Sequence, residues 1–365
     1  LDHLKICVYA ISKNEEQFAD RWMDAVSEAD LVVVADTGST DRTIEKLRAR
    51  GALVYPEQIV PWRFDEARNR ALAHVPEDAD ICVSNDLDEV FEKGWRQKLE
   101  NAWQPDTTRA RYTFVWDHRD GMDKQFPMEK IHIRHGYRWI HPVHEVLAYG
   151  GTEKKIFVPG LVLHHYPDNG KPRGQYLPLL ELSAKENPQD SQTHFWLGRE
   201  YVYHNQYDAA IRTLGEYLSL PASAWDEEKS AAMRLIAECY SRQGKNAEAK
   251  QWLWRSIAQC PYVREPYLAM ARHAYLLGEW PLAAFVASEG LKITRPTGSY
   301  LTEPEAWGER LYDYGAIACF QLGQYETAQQ YAAEAVRINP GDERLRRNLA
   351  LIRAKLPGAA PEGQE

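Results

Sequence analysis

The stretch Asp78–Phe91, DADICVSNDLDEVF, decides how the first half of the chain is read. Ile81, Cys82 and Val83 form a short apolar run that breaks off into Ser84 and Asn85 and then into three carboxylates, Asp86, Asp88 and Glu89. The pattern predicts a buried strand that ends in acid. On an extended segment residues i and i+2 share a side, so Asp86 and Asp88 are expected to converge on one cation while Leu87 faces the core. Two hard oxygen ligands of this kind suit Mg²⁺ or Mn²⁺. A solvated acidic turn is the competing account of the same residues.

The same punctuation recurs upstream. LKICVYAI (Leu4–Ile11) runs into Ser12, Lys13, Asn14 and Glu15, and Leu31–Ala35 stops at Asp36 and the turn Thr37-Gly38-Ser39. Leu53–Tyr55 reads as a third strand, and Asp65 as the N-cap of a helix carrying Ala67–His74. Strands alternating with helices predict a parallel α/β sheet covered on both faces. Ligands of such sheets sit beyond the carboxyl ends of the strands, where Asn14, Asp36 and Asp86 all fall.

From about Arg111 to Val162 the pattern changes to short β-like pieces dense in His, Trp and Arg, and a Pro/Gly-rich loop follows at Pro167–Gly174. The remainder is helical and repetitive. Asn205-Gln-Tyr207, Gly244-Lys-Asn246, Gly278-Glu-Trp280 and Gly323-Gln-Tyr325 each separate two apolar-periodic segments, and Ala210, Ala249, Ala283 and Ala328 stand three positions further on. The turns are spaced by 39, 34 and 45 residues, which brackets the 34-residue tetratricopeptide period with insertions. Pro221, Pro261, Pro296 and Pro340 are expected to end the second helices. The expected organisation is a sheet domain over 1–178, a helical repeat domain over 179–355 and a disordered tail over 356–365.

Composition narrows the class. At 365 residues the chain has room for two cores, and a net charge of −9 disfavours nucleic acid as a partner. No apolar run is long enough to span a membrane and no signal-peptide pattern opens the sequence, so the expected compartment is the cytoplasm. Five scattered cysteines without a C-x-x-C pair argue against a disulfide framework or a zinc site.

Four strings stand in order: ISKNEEQF from Ile11, VVVADTGSTDRT from Val32, RFDEARNRAL from Arg63 and SNDLDEVF from Ser84. Together they resemble the family 2 type of glycosyltransferase with a GT-A fold, a Rossmann-like and mainly parallel sheet. The closer likeness is to its members with C-terminal tetratricopeptide repeats, and in overall plan the chain is similar to the peptide S-glycosyltransferases of glycocin biosynthesis. The resemblance implies a metal-dependent inverting enzyme that takes its sugar from a nucleotide-diphosphate sugar, a UDP-sugar first. The acceptor would be a protein, peptide or glycan chosen in part by the repeats, and a homodimer stays open.

On the donor side the resemblance implies Ser12, Asn14, Glu15, Asp36, Ser39, Asp65, Arg68 and Asp86, with Asp86, Asp88 and His165 around Mn²⁺ or Mg²⁺. An i,i+3 ion pair with Asp65 is the structural alternative for Arg68. In RWIHPVHEVL the resemblance makes Glu145 the base that takes the acceptor's proton, with Asp120 second; an anchoring pair with Arg138 or a neighbouring His is the structural alternative. His164 and His165 point oppositely on a strand, so one of them would face the metal. Two rival functions remain at this stage: a catalytically silent sugar-nucleotide-binding tetratricopeptide scaffold, and a nucleotidyltransferase. The second lacks the Gly-rich triphosphate loop, since Ser12–Phe18 contains no glycine.

Overall fold

Strands form where the apolar runs predict them, and the first half of the chain unrolls in order as β1 (Ile6–Ser12), α1 (Glu16–Ala25), β2 (Leu31–Asp36), α2 (Thr43–Ala49), β3 (Leu53–Pro56), α3 (Phe64–Ala73), β4 (Ile81–Ser84), β5 (Glu89–Phe91) and α4 (Trp95–Ala102). Then come β6 (Arg109–Asp117), β7 (Lys124–Ile133), β8 (Tyr137–Ile140), β9 (Val146–Tyr149), β10 (Lys155–His165) and α5 (Tyr176–Glu186). This is a computed structural model, and it describes residues 3–117, 124–168 and 174–356. Asp120 and most of the expected disordered tail lie outside the described residues.

Eight strands make one sheet in the order β3-β2-β1-β4-β7-β6-β10-β5, and β8 and β9 form a separate hairpin. β1 to β4 pair in parallel, as the alternation with helices requires. β7 then enters antiparallel between β4 and β6, and β5 closes the far edge antiparallel to β10. The sheet is therefore mixed, which corrects the mainly parallel expectation. β6 and β7 pair antiparallel with six residues between them, too few for the crossover that parallel pairing needs.

Alternation along β1 divides the core. Ile6, Val8 and Ala10 join Trp22, Leu47, Leu87, Trp95 and Leu99 on one face, whereas Cys7 and Tyr9 join Val33, Ala71, Leu72 and Trp139 on the other. The second face contains a polar chain. Trp139 Nε1–H donates to the Tyr9 hydroxyl at 2.9 Å, and Tyr9 lies 2.8 Å from His132 Nε2. His132 Nδ1 lies 2.7 Å from the Ile133 carbonyl, so the tautomer that satisfies every group carries its proton on Nδ1. Burial pushes the His132 pKa down to about 4, which keeps the ring neutral.

The chain divides between Asn187 and Pro188, later than the expected 178/179 boundary. α5 belongs with the sheet unit: Glu186 pairs with Arg63 at 2.6 Å and the Tyr176 ring stacks against Phe64. The second unit consists of α6 (Ser191–Tyr203), α7 (Tyr207–Ser219), α8 (Asp226–Arg242), α9 (Asn246–Gln259), α10 (Glu265–Leu276), α11 (Trp280–Leu291), α12 (Pro304–Trp307), α13 (Arg310–Gln321), α14 (Tyr325–Ile338) and α15 (Glu343–Arg353). Four hairpins, α6/α7, α8/α9, α10/α11 and α13/α14, follow one plan. Their turns place Asn205, Gly244, Gly278 and Gly323 at φ of 57°, 74°, 69° and 74°, the left-handed region that glycine and asparagine tolerate. Ala210, Ala249, Ala283 and Ala328 are all fully buried where the paired helices approach. Among the described residues no helix is long and apolar enough to cross a membrane.

Candidate functional site

β4 stops at Ser84, and the acidic residues beyond it do not continue the strand. Asn85 N–H donates to the Tyr9 carbonyl at 3.1 Å, and Glu89 N–H closes a turn onto the Asp86 carbonyl at 2.9 Å. The extended geometry expected for Asp86 and Asp88 is thus replaced by a turn, and the two carboxylates take different partners. Leu87 is fully buried between them.

Asp86 receives the Arg68 guanidinium through Nη1 at 2.6 Å and Nη2 at 3.0 Å, and the Lys130 ammonium at 3.0 Å. Arg68 Nε–H also donates to Glu145, while its charge lies over the Trp139 ring at 5.1 Å. Lys130 reaches on to Glu89 at 2.9 Å, and Glu89 accepts the Asp86 N–H at 2.9 Å. Two cations and three carboxylates therefore meet at the carboxyl end of β4.

Burial alone would raise the Asp86 pKa, but Arg68 and Lys130 hold it well below the usual carboxylate range. Burial likewise opposes charge on Lys130, and Asp86 and Glu89 keep its pKa raised instead. Glu89 is pushed up by burial and by its neighbours Asp86 and Asp88. Such a cluster holds together because each charge is paired; removing one member strands the rest.

α3 delivers Arg68, and Asn69 locks that helix in place. Its amide donates to the Trp139 carbonyl at 2.9 Å and accepts from the Trp139 N–H at 2.8 Å. The i,i+3 pair is not found, since Asp65 pairs with Arg63 at 2.9 Å rather than with Arg68; Glu145 is anchored, by Arg68 rather than by Arg138. Asp65 is also not the N-cap. The helix opens at Phe64, with Arg63 in the capping position.

Along the neighbouring strand ends, Asp36 is 1% exposed and organises its own turn. It accepts from the Gly38 and Ser39 N–H groups at 3.1 and 2.8 Å, and from the Ser12 and Ser39 hydroxyls at 2.7 and 2.6 Å. Asn14 is exposed, with φ of 53°, and accepts the Thr40 N–H at 2.7 Å; Glu15 is buried at the start of α1 and donates its N–H to Thr43 at 2.8 Å. These contacts brace the loops after β1 and β2 against each other.

His165 faces Asp88 at 3.4 Å and stacks on Trp116 at 4.5 Å, whereas His164 faces Glu92 at 3.0 Å. The two rings diverge as alternation along a strand requires. Burial works against a charged His165, and the Asp88 carboxylate outweighs it and raises the pKa. Asp86, Asp88 and His165 do not fit a divalent cation as they stand. Both Asp86 oxygens already serve Arg68 and Lys130, and among the described residues no group of three His, Cys, Asp or Glu side chains is arranged to hold a metal.

Sequence reasoning missed Lys130 and Asn69. Lys130 follows from the register, since continuing the antiparallel pairing past Val83↔Ile131 brings it beside the end of β4. No local pattern announces that pairing. Asn69 is polar on a helix whose buried positions include Ala67, Arg68, Ala71 and Leu72, and that placement was the available signal.

Comparison with known proteins bears on the helical unit. Residues 310–342, which span α13 and α14, match the tetratricopeptide repeat. No curated protein matches the chain. Among solved structures, MamA is 18% identical over 48% of this chain and 96% of its own, with a TM-score of 0.37. PilF of Pseudomonas aeruginosa is 15% identical over 49% of this chain and 72% of its own, at 0.37. YrrB, described as a tetratricopeptide protein with an unusual peptide-binding site, is 14% identical over 50% and 84%, at 0.36. Alignments this loose carry no functional inference. The C-terminal unit is an array of helical hairpins, and its hairpin α13/α14 matches the tetratricopeptide repeat.

Proposed function

We propose that this protein is a recognition scaffold whose helical hairpins engage a protein or peptide partner, and whose sheet unit has a sugar-nucleotide-type site held shut by its own ion pairs. The observation that carries the reading is the tetratricopeptide match over 310–342, seated on a hairpin whose turn and alanine contact recur three times before it. Each hairpin buries its apolar face only against its neighbours, so the row of first helices is left to make outside contacts. The test is binding of the full chain to an array of short peptides, repeated with Tyr203→Ala and Leu276→Ala, two exposed side chains at equivalent positions on the first helices α6 and α10. Specific peptides that lose binding in these variants support it. An array with no binder above background overturns it.

A second reading, a metal-dependent inverting glycosyltransferase, is favoured by one observation: Ser12, Asp36 and Asp86 lie at or just beyond the carboxyl ends of adjacent parallel strands, and Arg68 reaches Asp86 from α3 with buried charge gathered around it. In that reading Ser12, Asn14, Glu15, Asp36 and Ser39 border the nucleotide. Arg68 turns from Glu145 to the donor phosphates, which frees Glu145 to accept a proton from the acceptor. Asp86 and Asp88 must exchange their present partners before either meets a cation. A panel of nucleotide sugars, tested with and without Mn²⁺ for binding and hydrolysis, separates the two readings. Turnover that falls about 10²-fold in Glu145→Gln with donor affinity retained would make the enzyme reading the correct one.

A further inference from the structure

The longest spacing between repeats, from Gly278 to Gly323, holds an insertion between α11 and α13 that does not loop away from the helices. Thr297 and Ser299 donate their hydroxyls to Glu227 on α8, and the Tyr300 hydroxyl donates to Glu228 at 2.6 Å. The Tyr300 ring stacks on Trp196 of α6 at 5.7 Å and meets Trp225, just before α8, at 5.4 Å. Glu303 accepts from Arg234 on α8 at 2.6 Å, and its N–H donates to Glu265 on α10 at 3.0 Å. These polar anchors all belong to the first helices of successive hairpins, and those helices touch one another in sequence, α6 to α8 and α8 to α10.

The manner of attachment is that of a ligand. The segment has one internal turn, Thr302 N–H to the Ser299 carbonyl at 3.0 Å, and it meets the helices through hydroxyls, one aromatic ring, one carboxylate and the Leu301 side chain, which packs against the cluster around Phe195 and Ile236. Thr297, Gly298 and Glu303 remain exposed. Behind it α12 is firmly seated, with Ala306 fully buried and Trp307 Nε1–H donating to Glu265 at 3.0 Å under the Arg264 guanidinium. The strap thus ends on a fixed foot.

We propose that the face formed by α6, α8 and α10 binds an extended peptide whose hydroxyl and tyrosine side chains meet Glu227 and Glu228 and whose acidic residue meets Arg234, and that Thr297–Glu303 is the chain's own copy of that peptide, held in cis until an external one displaces it. The inference rests on the helical unit acting as a recognition array. A tethered copy is present at high effective concentration, so an outside peptide sees only the fraction of molecules in which the strap is open.

The probe is a fluorescein-labelled peptide of residues 297–307, TGSYLTEPEAW, titrated into the full chain. Weak binding is expected to the wild type, and binding at least about tenfold tighter to the Ser299→Ala/Tyr300→Ala double variant, because loosening the strap raises the open fraction. Adding Arg234→Ala to that variant should reverse the gain. Tyr300→Phe, which keeps the ring and drops the hydroxyl, should give a smaller gain in the same direction, and it decides the matter if the double variant does not fold. Equal affinity for the wild type and the folded variants, or a scrambled peptide that binds as tightly, would overturn the proposal. Peptides from an array that bind with no response to the strap substitutions would remove the strap and leave the recognition array standing.

Discussion

In the sheet unit Arg68, Lys130, Asp86, Glu89 and Glu145 arrive from four stretches of chain to form one buried charged cluster, whereas the helical unit repeats one small-residue contact at Ala210, Ala249, Ala283 and Ala328. The first arrangement depends on register between distant segments. The second repeats within each hairpin and against the next one along the chain. A substitution in the cluster should therefore be felt by every member at once, while one in a hairpin should cost what its own contact is worth.

Arg68→Ala is the harshest test of this contrast. It leaves Glu145 unpaired and Asp86 with Lys130 alone, and breaking a buried ion pair from one side typically costs about 3–5 kcal/mol. Urea unfolding measures it. A loss near that of an ordinary surface substitution would mean that the cluster opens to solvent and has no common fate.

The next effect is a pH dependence peculiar to the sheet unit. His132 is neutral in the folded protein with its pKa pushed down to about 4, whereas in the unfolded chain it titrates near the free value of about 6.5. Between those values the unfolded chain binds the extra proton, so this contribution is complete above about pH 6.5 and is lost as pH falls towards 4. The loss is on the order of 3 kcal/mol. Subtracting the His132→Gln profile from that of the wild type isolates it, and a flat difference would show that Tyr9 and Trp139 do not depend on a neutral ring.

In the helical unit Gly290→Ala sharpens the other side. A Cβ there would lie 2.7 Å from Tyr267 Cβ and 2.9 Å from Leu311 Cδ2. Overpacking of this kind costs about 1–3 kcal/mol, against which alanine recovers up to about 1 kcal/mol of helix propensity, so a net loss of about 1–2 kcal/mol is expected by urea titration. A gain in stability would mean that α10 and α13 shift apart easily. Ser256→Ala is the mildest case. Ser230 and Ser256 bond each other's carbonyls at 3.0 and 2.9 Å, and losing one hydroxyl should cost about 1 kcal/mol without disturbing the hairpins on either side.

The same contrast governs what could be read from sequence. Ile81–Ser84 was expected as a strand and is β4; the four turns and their alanines were visible because each lies within one hairpin. β7 was not placed between β4 and β6, because pairing between residues some 50 positions apart leaves no local trace. That strand supplies Lys130, so this partner of Asp86 could not be read from the sequence around either residue. The strap was legible only as an insertion in the repeat spacing; its contacts with Glu227, Glu228 and Arg234 are again long-range.

The rims of the eight-stranded sheet bear on whether copies of the chain can join through it. An open rim offers unpaired N–H and C=O groups that invite another chain to add on. Here one rim is β3, four residues long and ending in Pro56, which has no N–H to give, and the other is β5, three residues long. Neither is long enough to template a stable continuous sheet between molecules. The longer open stretch is Lys155–Leu161 of β10, which lies beyond the reach of β5 and pairs with β6 on one side, so an added strand would find its room there.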